Sequence, residues 1–450
     1  MGFLQEFISE VRAPDPEAFR ALPGSDRLDE LYHLIQDAPG FFHERFERYG
    51  RVFKSRIVVP CVFVVGEEAN KTVLITKRAE MSQGRGYAKT AVDRIFANSI
   101  MLQDGEAHER TRGILSPAVS RLSVRDSADR VHRIWSDAVV AASREPSVDV
   151  YTLAQRTTFD VSLNALVGLE LGPSTEAYRP HFEQLIEGIM APVKLRVPFS
   201  RLDRALTARD TLVQMLATPI EAARKVPPTG LLGQLAHYRE PDGTQLATDA
   251  IAHHLLLLAW AGYDTTASAA SFVLHVLATR PDWQARLRAA VLEIGDDHAA
   301  LDNDKRAAPL DWFLLEIERM YPSALFFPRV ALADLTLHGH RIPAGTLVFY
   351  APYMSHRDPA SFEHPNSFDP DRWDPARGAA RPSPSKLYGF GGGARVCLGK
   401  AFARLQLKLM IRSLVEHHRL EPDPRSRPTV MGVPVHHPVG SRIRIRALDS

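Results

Sequence analysis

The ten residues Phe390-Gly391-Gly392-Gly393-Ala394-Arg395-Val396-Cys397-Leu398-Gly399 constrain this chain more than any other stretch. Four glycines surround one cysteine, with an arginine two residues before the sulfur. Apolar residues at helical spacing follow, from about Lys400 to His417. Glycine lets the backbone take φ > 0 and approach a bulky group closely. A helix that starts just past the sulfur turns its N-terminal N–H groups and dipole toward it, which favours a thiolate. A thiolate on so tight a loop suits a single soft bond to a metal held in something flat and large.

Haem iron with a proximal cysteine meets that description, and the thiolate pushes electron density toward O–O cleavage. The pattern Phe-x-x-Gly-x-Arg-x-Cys-x-Gly, running from Phe390 to Gly399, resembles the haem-binding loop of the cytochrome P-450 superfamily, the haem-thiolate monooxygenases. Five fixed residues at about one in twenty each would coincide by chance in about one such chain in ten thousand. Two other readings compete. One is a structural cysteine in a Gly-rich turn. The other is nucleotide binding, since Gly389, Gly391 and Ala394 also match G-x-G-x-x-A. No apolar strand leads into that match, and no βαβ unit surrounds it.

A second strong element runs from Thr248 to about Leu277, close to thirty residues, or about 45 Å as a helix. Inside it lies Ala261-Gly262-Tyr263-Asp264-Thr265-Thr266. Ala261 and Gly262 are small and would let O₂ and a flat cofactor come close. Thr265 is one turn beyond Ala261, so its hydroxyl can bond back to the i−4 carbonyl. Asp264 is a proton source beside an apolar run, and two-electron reduction of O₂ needs two protons, which an acid and an alcohol in relay can deliver. The segment resembles the family's oxygen-binding motif on its long distal helix. Trp260 precedes it, either as a pocket roof or as a packing aromatic.

The resemblance assigns roles to further residues. Cys397 becomes the metal ligand, with Phe390, Gly391 and Ala261 against the haem. His108 and Arg112, at i and i+4 on one helix face, are similar to the His-x-x-x-Arg that holds a haem propionate; Arg395 and Arg329 stand at the other propionate positions. Glu316 and Arg319 match Glu-x-x-Arg, and Arg372, in Phe368-Asp369-Pro370-Asp371-Arg372-Trp373, is the arginine that joins them in a structural cluster bracing the cysteine loop. Phe96, Met101, Trp260, Leu325, Phe327 and Val433 are the candidate substrate contacts, and all are apolar or aromatic.

The rest of the chain sets the frame. Arg51 to Val65 reads as two β-rich runs broken near Val59-Pro60, Met81 to Leu102 as irregular, and Val124 to about Lys225 as mostly helical. Phe182 to Phe199 is expected at the substrate entrance. Val430 to Val435 and Ser441 to Ala447 read as a closing hairpin. The fold class expected is mostly α with a small β-rich side: one haem domain over residues 1–450, a long central distal helix, and the cysteine loop before the last major helix. No linker composition divides the chain.

Fifty-five basic residues balance fifty-three acidic ones, so nothing argues for nucleic acid. Cys61 and Cys397 are the two cysteines, which excludes a disulfide framework, and Cys61 sits in an apolar strand-like run as a packing residue. The longest apolar run, Leu255 to Gly262, is far short of a membrane span. Residues 1–7 lack the basic n-region and apolar core of a signal peptide. The resemblance then implies a soluble, cytoplasmic, bacterial-type member carrying heme b. It would oxidise a hydrophobic small molecule in secondary metabolism, with electrons from a ferredoxin and ferredoxin reductase. Lys400, Arg404, Lys408 and Arg412, spaced by four, read as a basic docking stripe for that ferredoxin. A peroxygenase, a redox-neutral haem-thiolate enzyme and a non-catalytic haem sensor are the alternatives. The Thr-Thr-Ala-Ser-Ala-Ala run after Asp264 resembles the branch containing retinoid hydroxylases.

Overall fold

β-branched and aromatic residues in short alternating runs build the strands of the computed structural model. It describes residues 15–57, 59–90, 92–97, 99–119, 125–189, 191, 196–302, 304–380 and 383–448. The reading of residues 1–7, and positions 190 and 192–195 of the expected entrance segment, lie outside the described residues. The fold is predominantly helical, at 58% helix and 12% strand. It divides into two compact units.

The first unit takes Met1–Lys89, Leu315–Cys397 and Val430–His436. Its centre is a five-stranded mixed sheet of β1 (Val52–Arg56), β2 (Pro60–Val64), β3 (Met81–Ser82), β4 (Phe327–Ala331) and β5 (Leu347–Tyr350), in the order β1-β2-β5-β4-β3. Pro60 opens β2, the strand position where a missing N–H does least harm. β2 runs parallel to β5 and antiparallel to β1. Every residue of β2 is buried, because both faces of the sheet are covered. Phe63 and Cys61 face one core cluster, while Val62 and Val64 face the other. Phe53, Phe63 and Phe349 stack across neighbouring strands with ring centroids 5.2 Å apart. Cys61 is fully buried, and desolvation pushes its thiol up to about 12, so it stays a neutral packing group.

The second unit takes Thr90–Leu314, Leu398–Thr429 and His437–Ser450. It holds α1 (Gly105–Leu115), α2 (Ala128–Ser143), α3 (Val150–Val161), α4 (Arg201–Ala223), α5 (Thr248–Thr279) and α6 (Lys400–Val415). α5 has 32 residues and is therefore about 48 Å long. Leu255 through Leu258 are all buried, as for a helix surrounded on every side. Among its neighbours α3 packs on it most extensively, with α4 next, and α6 packs on α2. Among the described residues no helix is long and apolar enough to cross a membrane.

Two local expectations change. Met81 to Leu102 is not irregular throughout: it contains β3 and the short helices Gln83–Tyr87 and Val92–Ile95. The strand Arg442–Ala447 does not close a hairpin with residues 430–435; it pairs with His418–Pro422 and Val148–Asp149. Alternation marks a strand but not its partner, and here one partner, Val148–Asp149, is far away in sequence.

Candidate active site

In the first unit, Gly391 (φ 71°) and Gly393 (φ 58°) turn the chain so that the Cys397 N–H donates to Phe390 O at 2.9 Å. A Cβ at Gly393 would fall 2.4 Å from the Leu74 carbonyl oxygen, so this close approach admits only glycine. Arg395 ends the short turn Gly393–Arg395, half-buried like Phe390 and Gly391. The Cys397 side chain is exposed.

Arg329, on β4, is 4% exposed. Its Nη1 donates to the Pro328 carbonyl at 2.7 Å, and its guanidinium lies 5.2 Å from the Tyr350 ring centroid. Among the described residues no carboxylate pairs with it. A buried cation of this kind calls for an anionic group. Tyr350, at the end of β5, stacks on Phe327 at 5.2 Å. Burial raises its phenol, Arg329 lowers it, and a charge on Cys397 raises it further. Tyr350 thus stands between Arg329 and the cysteine loop, a role hidden in an ordinary apolar strand.

Glu316 and Arg319 are both fully buried and bidentate, at 2.9 and 2.7 Å. The same carboxylate accepts from Arg372 Nε (3.1 Å), Trp373 Nε1 (3.0 Å) and the Asp369 N–H (2.9 Å). Arg319 also donates to the carbonyl of His356 at 3.0 Å. The His356 imidazole, fully buried, accepts at Nε2 from the Tyr388 N–H at 2.9 Å, two residues before Phe390. A continuous hydrogen-bonded line therefore runs from Glu316 to the base of the cysteine loop. Sequence reading found its two arginines and missed Trp373 and His356, although Trp373 directly follows Arg372. Leu325 lies in the core, and Val433 is half-buried next to Gly432, whose Cβ would meet Leu325 Cδ1 at 3.0 Å.

In the second unit, Thr265 is exposed and donates to Ala261 O at 2.7 Å. Asp264, one residue earlier and so about 100° around the helix, is 3% exposed and points elsewhere. Its Oδ1 accepts from the Tyr151 hydroxyl at 3.0 Å. Burial pushes the Asp264 carboxyl up to about 6, against the lowering effect of that hydrogen bond. Tyr151 in turn stacks on His437, with centroids 3.8 Å apart and rings 17° from parallel. The expected acid–alcohol pair is thus split between two helix faces, with the acid on Tyr151. Gly262 also differs from expectation. Its Cβ would lie 3.1 Å from Leu166 Cδ2 and from Ser162 Oγ, and Ser162 Oγ donates to Ala259 O at 3.0 Å. Gly262 is small because the turn Ser162–Val167 crosses α5 there.

Phe96 and Trp260 meet as an aromatic pair at 4.6 Å, and Met101 is half-buried. His108 is buried and Arg112 half-buried on α1. The docking stripe is not a surface. Lys408 and Arg412 are each 2% exposed: Lys408 donates to Leu301 O and pairs with Asp311, both at 2.8 Å, and Arg412 donates to Gly295 O at 2.6 Å and pairs with Glu416. Spacing by four defines a face of α6 but not whether it looks outward, and long stems bury readily while their heads find partners.

A family model described as Cytochrome P450 matches residues 30–434. Cytochrome P450 26B1 of Mus musculus is 28% identical over 98% of this chain and 88% of its own length; that of Danio rerio is 27% identical over 94% and 85%. A solved structure titled "Retinoic acid bound cyanobacterial CYP120A1" superposes with a TM-score of 0.84 at 26% identity, covering 95% of this chain and 99% of its own. A mostly helical oxidoreductase built around one loop cysteine is the class that fold and site define. The chain belongs to the cytochrome P450 family, and like its members it is a haem b monooxygenase. The first unit suits that cofactor: it offers an exposed thiol on a glycine loop and a buried guanidinium lacking any carboxylate among the described residues.

Proposed function

We propose that this chain hydroxylates an apolar isoprenoid- or fatty-acid-like molecule, by R–H + O₂ + 2 e⁻ + 2 H⁺ → R–OH + H₂O, within bacterial-type secondary metabolism in the cytoplasm. Haem b, when bound, supplies the O₂ chemistry. Cys397 would hold its iron as thiolate, and Arg395, His108, Arg112 and Arg329 would bind its two carboxylates. Phe390, Gly391 and Ala261 would border it. Asp264 holds the proton, and the Thr265 hydroxyl, anchored on Ala261 O, orients the group that receives it. Phe96, Met101, Trp260, Leu325, Phe327 and Val433 exclude water and grip the substrate, and residues 1–450 work as one haem domain. Electrons come from a separate ferredoxin and its reductase. The observation carrying the substrate class is the similar cyanobacterial chain bound to retinoic acid, supported by the Phe96–Trp260 aromatic pair in this one.

The test is a titration with all-trans retinoic acid and with palmitic acid, read by the haem absorbance, followed by turnover under ¹⁸O₂ with a ferredoxin system. Saturable spectral shifts and one ¹⁸O per product are expected. Product oxygen drawn from water, or no product despite bound ligand and reductant, counts against the reading.

Thr265→Ala is expected to keep reductant consumption while product per electron falls at least about tenfold and hydrogen peroxide rises in its place. Peroxide assay beside product quantification checks this, and wild-type coupling in T265A would remove Thr265 from the proton path.

A further inference from the structure

We propose that Tyr151 is a positioning residue for the acid of the reaction: its hydroxyl holds the Asp264 carboxyl in the crossing of α3 and α5, and the stack with His437 holds Tyr151. This rests on the reading of Asp264 as the proton-holding acid. Three observations carry it. The donor lies 3.0 Å from Oδ1, a normal hydrogen bond. The carboxyl is 3% exposed, so bulk water does not compete for it. The Tyr151 ring is stacked face to face on His437 at 3.8 Å, which restrains where its hydroxyl can sit.

Geometry then divides the labour between the two carboxyl oxygens. Oδ1 is committed as acceptor, so the transferable proton belongs on Oδ2. Burial raises the Tyr151 phenol, and the neighbouring Asp264 raises it further, so it remains a neutral donor throughout the working range. When Asp264 releases its proton, the Tyr151 bond becomes charge-assisted and stronger, which keeps the carboxylate in place for reprotonation. The other groups about this point are few. Tyr263, the residue just before Asp264 on α5, is likewise raised by burial and bonded by Gln155 of α3, and it feels Glu183 and Arg179. His437 faces Tyr151 from the strand His437–Val439.

Tyr151→Phe removes the hydroxyl and keeps the ring and its stack. Two changes are expected in the holoenzyme. Product per electron falls severalfold on its plateau, because the carboxyl is no longer held. The pH at which coupling is half lost rises by about one pH unit, because a bond favouring the charged form is gone. A purely structural role would lower the plateau without moving the midpoint. The activity-independent readout is the infrared band of protonated Asp264, identified by its loss in Asp264→Asn, whose titration midpoint should rise equally in Y151F. In a D264N background, Y151F should add nothing, as for a residue acting through another. An unmoved infrared midpoint in Y151F, or an additive effect in the double variant, overturns the proposal. Wild-type coupling in D264N instead overturns the reading of Asp264 on which it rests.

Discussion

Cys397→Ala is expected to abolish oxygenation, reducing product formation by about three orders of magnitude or more, because no other side chain can supply a thiolate. The reduced, CO-bound protein should lose the absorbance diagnostic of thiolate ligation. The internal control is Cys61→Ala. Cys61 is the only other cysteine, fully buried, with its thiol raised to about 12. C61A should therefore lower the melting temperature slightly and leave the CO spectrum intact. A thiolate-type spectrum surviving in C397A, or disappearing in C61A, would exclude Cys397 as the ligand.

Glu316→Gln should produce the largest loss of stability. The fully buried Glu316 carboxylate is shared by Arg319, Arg372, Trp373 and the Asp369 N–H. An amide removes the charge and turns one acceptor into a donor, which leaves two guanidinium groups uncompensated. Breaking a buried cluster in this way costs about 3–5 kcal/mol. Trp373→Phe loses one neutral donor to the same carboxylate and should cost about 1–3 kcal/mol. Urea midpoints of both variants, with haem retention followed in parallel, test the order. E316Q unfolding at the wild-type urea concentration would show that the arginines find other partners and that the cluster braces nothing.

What was legible in the sequence was whatever rests on local pattern. The cysteine loop, the span of α5 and the two runs that became β1 and β2 each follow from glycine placement or from period within a short window. Glu316 and Arg319 share one helical turn, so their pairing needs only spacing. What stayed hidden depends on which way a face looks and on what crosses it. Lys408 and Arg412 have the spacing of a surface stripe, yet their face of α6 is buried. Gly262 answers to Leu166 and Ser162, nearly a hundred residues earlier. Tyr151 is 113 residues from Asp264, and nothing near either residue announces the other. Tyr350 and His356 look like an ordinary strand aromatic and an ordinary loop histidine until the registry of β4 and β5 and the fold of residues 356–388 bring them to the cysteine loop.

His356 also ties the cysteine loop to proton activity. Burial first, then the charges of Arg319 and Arg357, lower its imidazole to about 3, so it is neutral in the fold. Nε2 is the acceptor for the Tyr388 N–H, so protonating it both ends that bond and adds a third cation to a buried site. In the unfolded chain the same ring titrates near about 6.5. Between those two values the unfolded chain binds the extra proton and the fold does not. Stability from this group is therefore complete above about pH 6.5 and declines as pH falls toward 3, by up to about 1.4 kcal/mol per pH unit. Mild acid should loosen the segment leading into Cys397 ahead of general unfolding. Haem release on acidification would then begin at higher pH than loss of helical signal, and His356→Gln, which cannot take up the proton, would bring the two transitions together.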